Sequence, residues 1–322
     1  MFSVTLDGKL FHRLDFELMY YIRKTTNMLM GVPYPYTTGY SSLVRNVGGL
    51  QNSGIDVKLG YDILRGRDYY LRAGVNFNYN NDKVTELFQG RQRWEIANTL
   101  VAYVVGKPVM YYLPIWAGVN PADGSPQWYL PGKNIDETTK DKSRVTSNFD
   151  ETVLTQNSGH RRYAPFNGGF NISAGWKGLT LSADFAVVLG KYLANNDMYF
   201  YANFAAVQTS YNQHKMVNDF WREDNKNAKF PDWRKGYGMH FDSHLLENAS
   251  FMRLKSLQIG YVLPKSLLAW QNVVEGLKFT FTGRNLFTIT DYTGIDPEAD
   301  TNVSLGKLGN TRQILFGVEV TF

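Results

Sequence analysis

Apolar and polar residues alternate along this chain in short blocks. In residues 312–322, Ile314, Phe316, Val318, Val320 and Phe322 share one parity. Gln313, Gly317, Glu319 and Thr321 share the other, with Leu315 its apolar member. Successive side chains of a strand point to opposite faces, so this block predicts a strand with one apolar and one polar face. The same dyad recurs at 14–22, 55–61, 71–80, 170–176, 179–189 and 276–287. Residues 251–263 break it. Leu257, Ile259, Tyr261 and Leu263 are apolar, but Arg253 and Lys255 share their parity, which leaves a bulge or an exit from the apolar zone open.

Nine strands are predicted, at about 2–7, 11–23, 54–64, 69–80, 164–176, 178–190, 251–263, 276–287 and 312–322. Their connectors alternate too. Residues 7–10, 64–68 and 177–178 are tight turns and 264–275 is moderate, whereas 25–53, 81–162, 190–250 and 288–311 are long. Loops this long need a reason in a compact domain. Short turns at one end and long loops at the other predict an all-β, antiparallel, up-and-down transmembrane β-barrel portion, with the long loops extracellular. Aromatics near strand ends suit the headgroup level: Tyr61, Tyr69, Tyr70, Trp176 and Tyr261 at the short-turn side, Tyr20, Tyr21, Tyr79 and Phe287 at the other. An odd strand count does not close a bacterial single-chain barrel. The first twenty residues also lack the pattern of a secretory signal. The expectation is therefore the later portion of a larger barrel.

Composition narrows the chemistry. With 43% hydrophobic and 20% charged residues the chain is not of a disordered type. It contains no cysteine, which excludes thiol catalysis, disulfides and cysteine-ligated metal. A net charge of +5 with scattered basic residues argues against nucleic acid as a partner.

Several segments resemble one family. FMRLKSLQIGYVLP (251–264), GRNLFTITDYTGIDPE (283–298) and the ending ILFGVEVTF are similar to the late strand, signature loop and final strand of SusC/RagA-type TonB-dependent outer-membrane transporters. YYIRKTTNML (20–29), Gly39 and NVGGLQNSG (46–54) resemble the start of that family's C-terminal barrel half. The resemblance implies a 22-stranded barrel of which residues 1–322 are the C-terminal portion, with the plug domain and earlier strands absent. It implies outer-membrane uptake of oligosaccharides or peptides with a SusD-like surface lipoprotein. TonB would act through the missing plug. Lipid and the barrel-assembly machinery are the other implied partners, the latter through Phe322 as assembly signal. The alternative is a structural or non-transporting barrel remnant.

No enzyme site is expected, and neither a cofactor nor a metal. His240 and His244 are spaced i, i+4, but Phe241 stands where a zinc protease has Glu, so loop surface is the preferred reading. Asp296, Glu298 and Asp300 could pair for glycoside hydrolysis, yet beside Pro297 they read as loop-packing groups. Loop aromatics are the ligand or partner candidates: Trp116, Trp128 and Tyr129 in one loop, Trp221, Trp233, Arg234 and Tyr237 in another. Sugar faces and peptide side chains stack on such rings, and packing within the loop is the competing role. Phe200, Phe204, Val207 and Tyr211 have roughly helical spacing and predict a helix within 197–221.

Overall fold

The computed structural model describes residues 1–96, 99–152, 156–203, 212–270, 273–304, 306 and 308–322. Nine long strands make one sheet: β1 (Phe2–Leu10), β2 (Leu14–Thr25), β3 (Gly49–Arg65), β4 (Tyr69–Glu86), β5 (Phe166–Trp176), β6 (Leu179–Leu189), β7 (Phe251–Val262), β8 (Gly276–Arg284) and β9 (Gln313–Thr321). They lie in sequence order, each antiparallel to the next. A short strand, Thr288–Thr290, continues the pairing with β7 after β8 ends.

The period-two pattern sets the faces. Leu18, Val57, Phe77, Val187 and Met252 stand in one cross-strand row, with Gly168 between Phe77 and Val187. Phe281 stacks obliquely on Phe316 in the neighbouring strand at 5.3 Å. This face is bare: Phe316 is 80% and Val318 62% exposed. An apolar surface of this extent is stable against lipid and not against water. The buried apolar clusters lie elsewhere, among loop residues such as Val101, Val109, Tyr111 and Leu113, and Met198, Phe230 and Leu245.

The other face is polar and laced by charge. Lys58 meets Glu17 at 3.0 Å, and Arg72 meets Asp15 at 2.6 Å and Asp62 at 2.7 Å. Asp15 and Arg72 are not on adjacent strands. Gly60 on β3 makes the bridge feasible, because a Cβ there would sit 2.5 Å from an Arg72 guanidinium nitrogen.

Several predicted boundaries move. The first turn is at 11–13 rather than 7–10, with Phe11 and His12 at φ 52° and 57°. Lys177 and Gly178, at φ 45° and 90°, make the expected tight hairpin. β3 begins five residues before, and β4 ends six residues after, the predicted limits, since pairing outlasts the apolar pattern: Gln51 pairs with Lys83 where both strands are polar. β8 stops at Arg284, short of Phe287, because Asn285 turns to φ 51°. Tyr21 is turned to the inner wall, bonded to Asn80, rather than to the headgroup level.

The loops fold as units of their own. Leu29–Pro33 pairs with Ser42–Asn46. Arg93–Ile96, Val101–Val104, Met110–Leu113 and Gln156–Arg161 make a four-stranded sheet, and Ile115–Val119, Pro126–Tyr129 and Val145–Thr146 a three-stranded one. Among the described residues of the predicted helix, Asn196–Tyr201 is helical, capped by the Asn195 side chain accepting from the Met198 N–H. Phe204, Val207 and Tyr211 lie outside the described residues.

An arginine on the lipid face at mid-strand forces a charge into hydrocarbon. Phe316→Arg is expected to cost ~2–4 kcal/mol, and Gln258→Arg on the polar face less than ~1 kcal/mol. Denaturant titration of the protein refolded in bilayers measures both, and equal losses would contradict the assignment of faces.

Candidate functional site: inner wall and loop mouth

At the loop end the polar face becomes amide-rich. The Tyr21 hydroxyl donates to Asn80 Oδ1 (3.0 Å), and Asn78 Nδ2 donates to the Tyr21 oxygen (3.2 Å) and to Asp56. Tyr21, Asn52, Asn78, Asn80 and Asn167, with the charged Arg162, Lys191, Glu298 and Asp300 and the apolar Leu50, Val188 and Phe251, surround a hollow of about 580 Å³ under the loops. Amides both donate and accept, so the hollow suits neutral polar groups such as peptide bonds or sugar hydroxyls. Lys191 donates to the Ala299 carbonyl (2.8 Å), and burial lowers its ammonium's proton affinity.

One wall of the hollow is a loop folded back onto the sheet. A bulge at Lys255 makes this possible. Asp184 pairs with Ser256, but Phe185 pairs with Leu254, so Lys255 is the extra residue. Before it, Met252 and the buried Leu254 share the outward parity and Arg253 turns to the inner face. This settles the broken dyad of β7 in favour of a bulge. Arg253 is buried and bonds Asp296 Oδ1 (2.6 Å), Glu298 Oε2 (2.5 Å) and Thr288 Oγ1 (2.8 Å), and Lys255 meets the other Glu298 oxygen at 2.5 Å. Asp296 also accepts from the Asn310 and Glu298 N–H groups. Burial alone would raise the Asp296 carboxyl. The Arg253 and backbone N–H bonds outweigh it and hold the group below its ordinary value. Asp300 pairs with Arg162 at 3.2 Å. Asp296 and Glu298 are thus clamps, whereas Asp300 makes an exposed surface pair.

The two longest loops are joined by aromatics. Trp128 is buried and its Nε1 donates to Asp242 Oδ2 at 2.6 Å. Trp116 stacks on His244 (5.0 Å, 10°), and His240 stacks on Phe149 (3.9 Å) with Trp128 edge-on at 5.3 Å. The His240 and His244 rings therefore face aromatic partners. Trp221 is buried against Gly124, with its Nε1 donating to the Pro121 carbonyl (3.1 Å) and Lys235 above its ring. Tyr129 is half-buried beside Lys142. Trp233 is half-buried against Phe220, Arg234 is exposed and bonds Asp232 through two nitrogens, and Tyr237 is half-buried nearby. Of the seven candidates, Trp128 and Trp221 sit within the joint, while Trp233, Arg234 and Tyr237 keep surface. Phe322 is exposed after the last strand. Sequence reasoning missed the clamp and Asp242. The signal for the clamp was present, as two basic residues breaking one dyad and two acids spaced i, i+2 in the loop beyond.

A lipid-facing sheet, a polar inner wall and long loops at one end define the wall of a transmembrane β-barrel. No protein-family model matches the chain. It is 26% identical over 98% of its length to TonB-dependent receptor P3 of Formosa agariphila and 23% identical over 94% to TonB-dependent receptor SusC of Bacteroides thetaiotaomicron, covering 33% and 29% of those proteins. The solved structure of the RagAB peptide transporter superposes with a TM-score of 0.89 at 39% identity, over 99% of this chain and 35% of that one. The chain spans about a third of the length of these relatives. It is homologous throughout to SusC/RagA-type TonB-dependent receptors, and its place is the cell outer membrane.

Removing Arg253 leaves Asp296 buried without its cation, while Glu298 keeps Lys255. Arg253→Met should loosen the 291–310 loop by ~3–5 kcal/mol. Limited proteolysis of folded protein is the readout, and parent-like resistance would rule the clamp out. The loop joint should respond to pH through Asp242. Burial pushes its carboxyl up to about 7, against the Trp128 and His244 N–H bonds, and burial pushes the His244 imidazole down to about 4. A raised carboxyl stabilises the joint as pH falls below its folded value. A depressed imidazole destabilises it as pH falls below ~6.5. The two oppose each other between about 4 and 6.5. Asp242→Asn removes one side, so its joint should weaken on acidification through that window while the parent changes little. Coincident protease-sensitivity profiles would contradict this.

Proposed function

We propose that this chain forms wall and mouth of a TonB-dependent outer-membrane importer for oligosaccharides or peptides. The observation that carries the reading is the amide-lined hollow at the loop end of an outward-apolar, inward-polar strand meander. Its amides suit the peptide bonds or hydroxyls of a polar oligomer, its apolar and charged residues suit that oligomer's substituents, and the loop clamped at Asp296 and Glu298 borders it. The relatives support the class: receptors by name, and a peptide transporter among the solved structures. Further strands and a plug would complete the barrel. TonB would act through that plug, and Phe322 would serve insertion by the assembly machinery.

A SusD-like lipoprotein caps the mouth in this reading. Trp233, Arg234 and Tyr237 form its contact patch, since they combine aromatic surface and a guanidinium on a loop fixed by the Trp128–Asp242 joint. Interfaces draw on these residue types. Trp233→Ala and Arg234→Ala, in the complete transporter at matched surface abundance, are expected to weaken lipoprotein co-purification by about thirtyfold, the equivalent of ~2 kcal/mol. Asn78→Ala with Asn80→Ala should lower uptake and leave co-purification unchanged. Parent-like capture and uptake in all variants would sink the assignment.

A further inference from the structure

The lipid-facing surface carries a notch at Gly168. In the row Leu18, Val57, Phe77, Gly168, Val187, only Gly168 lacks a side chain. A Cβ there would stand 2.3 Å from the Asn76 carbonyl oxygen and 3.1 Å from the Phe77 Cα, so the close approach of β4 and β5 keeps the position empty. Val75, Phe77, Phe166, Phe170, Val187 and Leu189 frame a groove of about 270 Å³ around it. Phe166 opens β5 and Leu189 closes β6, so the groove lies at the loop end of the wall.

The rows above the groove change character in order. Phe166 and Leu189 rim it, in one cross-strand row with Tyr79, Ile55 and Tyr20. Next come Ile22, Ser53 and Asn81, and two residues further Lys24, Gln51 and Lys83, all on the outward parity. Both lysines are exposed, and neither is in an ion pair among the described residues. Strand spacing sets their backbones about 10 Å apart, and the six residues from Phe77 to Lys83 span about 20 Å.

We propose that this face binds one phosphate-bearing lipid of the outer leaflet. The phosphate lies between Lys24 and Lys83 at headgroup depth, and an acyl chain runs past Tyr79 and Phe166 into the groove at Gly168. Charge decides for lipid over a second copy of the chain. Isologous pairing of this face would bring the unpaired lysines of two copies together, whereas a phosphate neutralises both. Continuity decides for the membrane as the source, since the groove is part of the band that lipid already covers.

The test needs no transport assay. The complete protein is extracted from native membranes in mild detergent, exchanged into fresh detergent, and its retained lipid measured by phosphate content and native mass spectrometry. The parent is expected to keep about one phosphorylated lipid per chain. Lys24→Gln with Lys83→Gln should lower retention by about fivefold or more, as the anion loses both partners. Val187→Phe, which fills the groove from a lipid-facing position, should also lower it. Lys58→Gln on the inner wall should not. A parent without retained lipid, or equal retention in all variants, would overturn the proposal. So would a dimer mass that Val187→Phe abolishes, which assigns the groove to a second copy.

Discussion

Hydrocarbon offers backbone groups no water to bond. In such a medium every N–H and C=O within the apolar band must find a partner in the protein, and neighbouring antiparallel strands supply them. From this follow the sequential meander, the long uninterrupted ladders and the dyad that turns one set of side chains to lipid and the other inward. Above the band the constraint lifts. There β3 and β4 continue as polar strands, and the loops build small sheets and buried clusters of their own.

The bulge at Lys255 links wall and mouth. One extra residue inverts the parity of β7 at its loop end, where the strand enters the membrane, so that Arg253 turns inward and not into lipid. The inward guanidinium then holds Asp296 and Glu298, and with them the loop that borders the amide-lined hollow. A buried arginine with two carboxylates contributes little to net stability compared with an apolar filling of the same space. Its effect is to fix where the loop lies. The aromatic joint does the same for the other two loops, with Trp128 and Trp221 filling the seam and Asp242 accepting from Trp128.

The strands were legible because period two survives wherever one face meets lipid. Their ends were not, because hydrogen-bond pairing continues where the apolar signal has stopped, as at Gln51 and Lys83. The first turn is displaced from 7–10 because Asp7-Gly8 is a turn-type dipeptide that here continues β1, whereas the chain reverses at Phe11 and His12. In the loops, residue type alone did not separate a ring that packs from one that is presented. Trp128 and Trp233 look alike in sequence, and only the contact with Asp242, 114 residues away, sets the first within the seam. The acids of the signature loop read as packing groups from sequence, but their partner was hidden in the irregular strand.

The account turns on two faces with opposite surroundings and a parity switch at Lys255. Because the chain has no cysteine, single-cysteine variants can carry a spin label at one position at a time. The measurement is relaxation by oxygen, which concentrates in lipid, against a polar nickel complex, at each residue from 251 to 262 in the assembled protein. Lipid-like labels are expected at 257, 259 and 261 and water-like labels at 256, 258 and 260. Before the bulge the phase inverts, with 252 lipid-like and 253 protected from both agents. A single unbroken phase through 255, or no alternation at all, would contradict it.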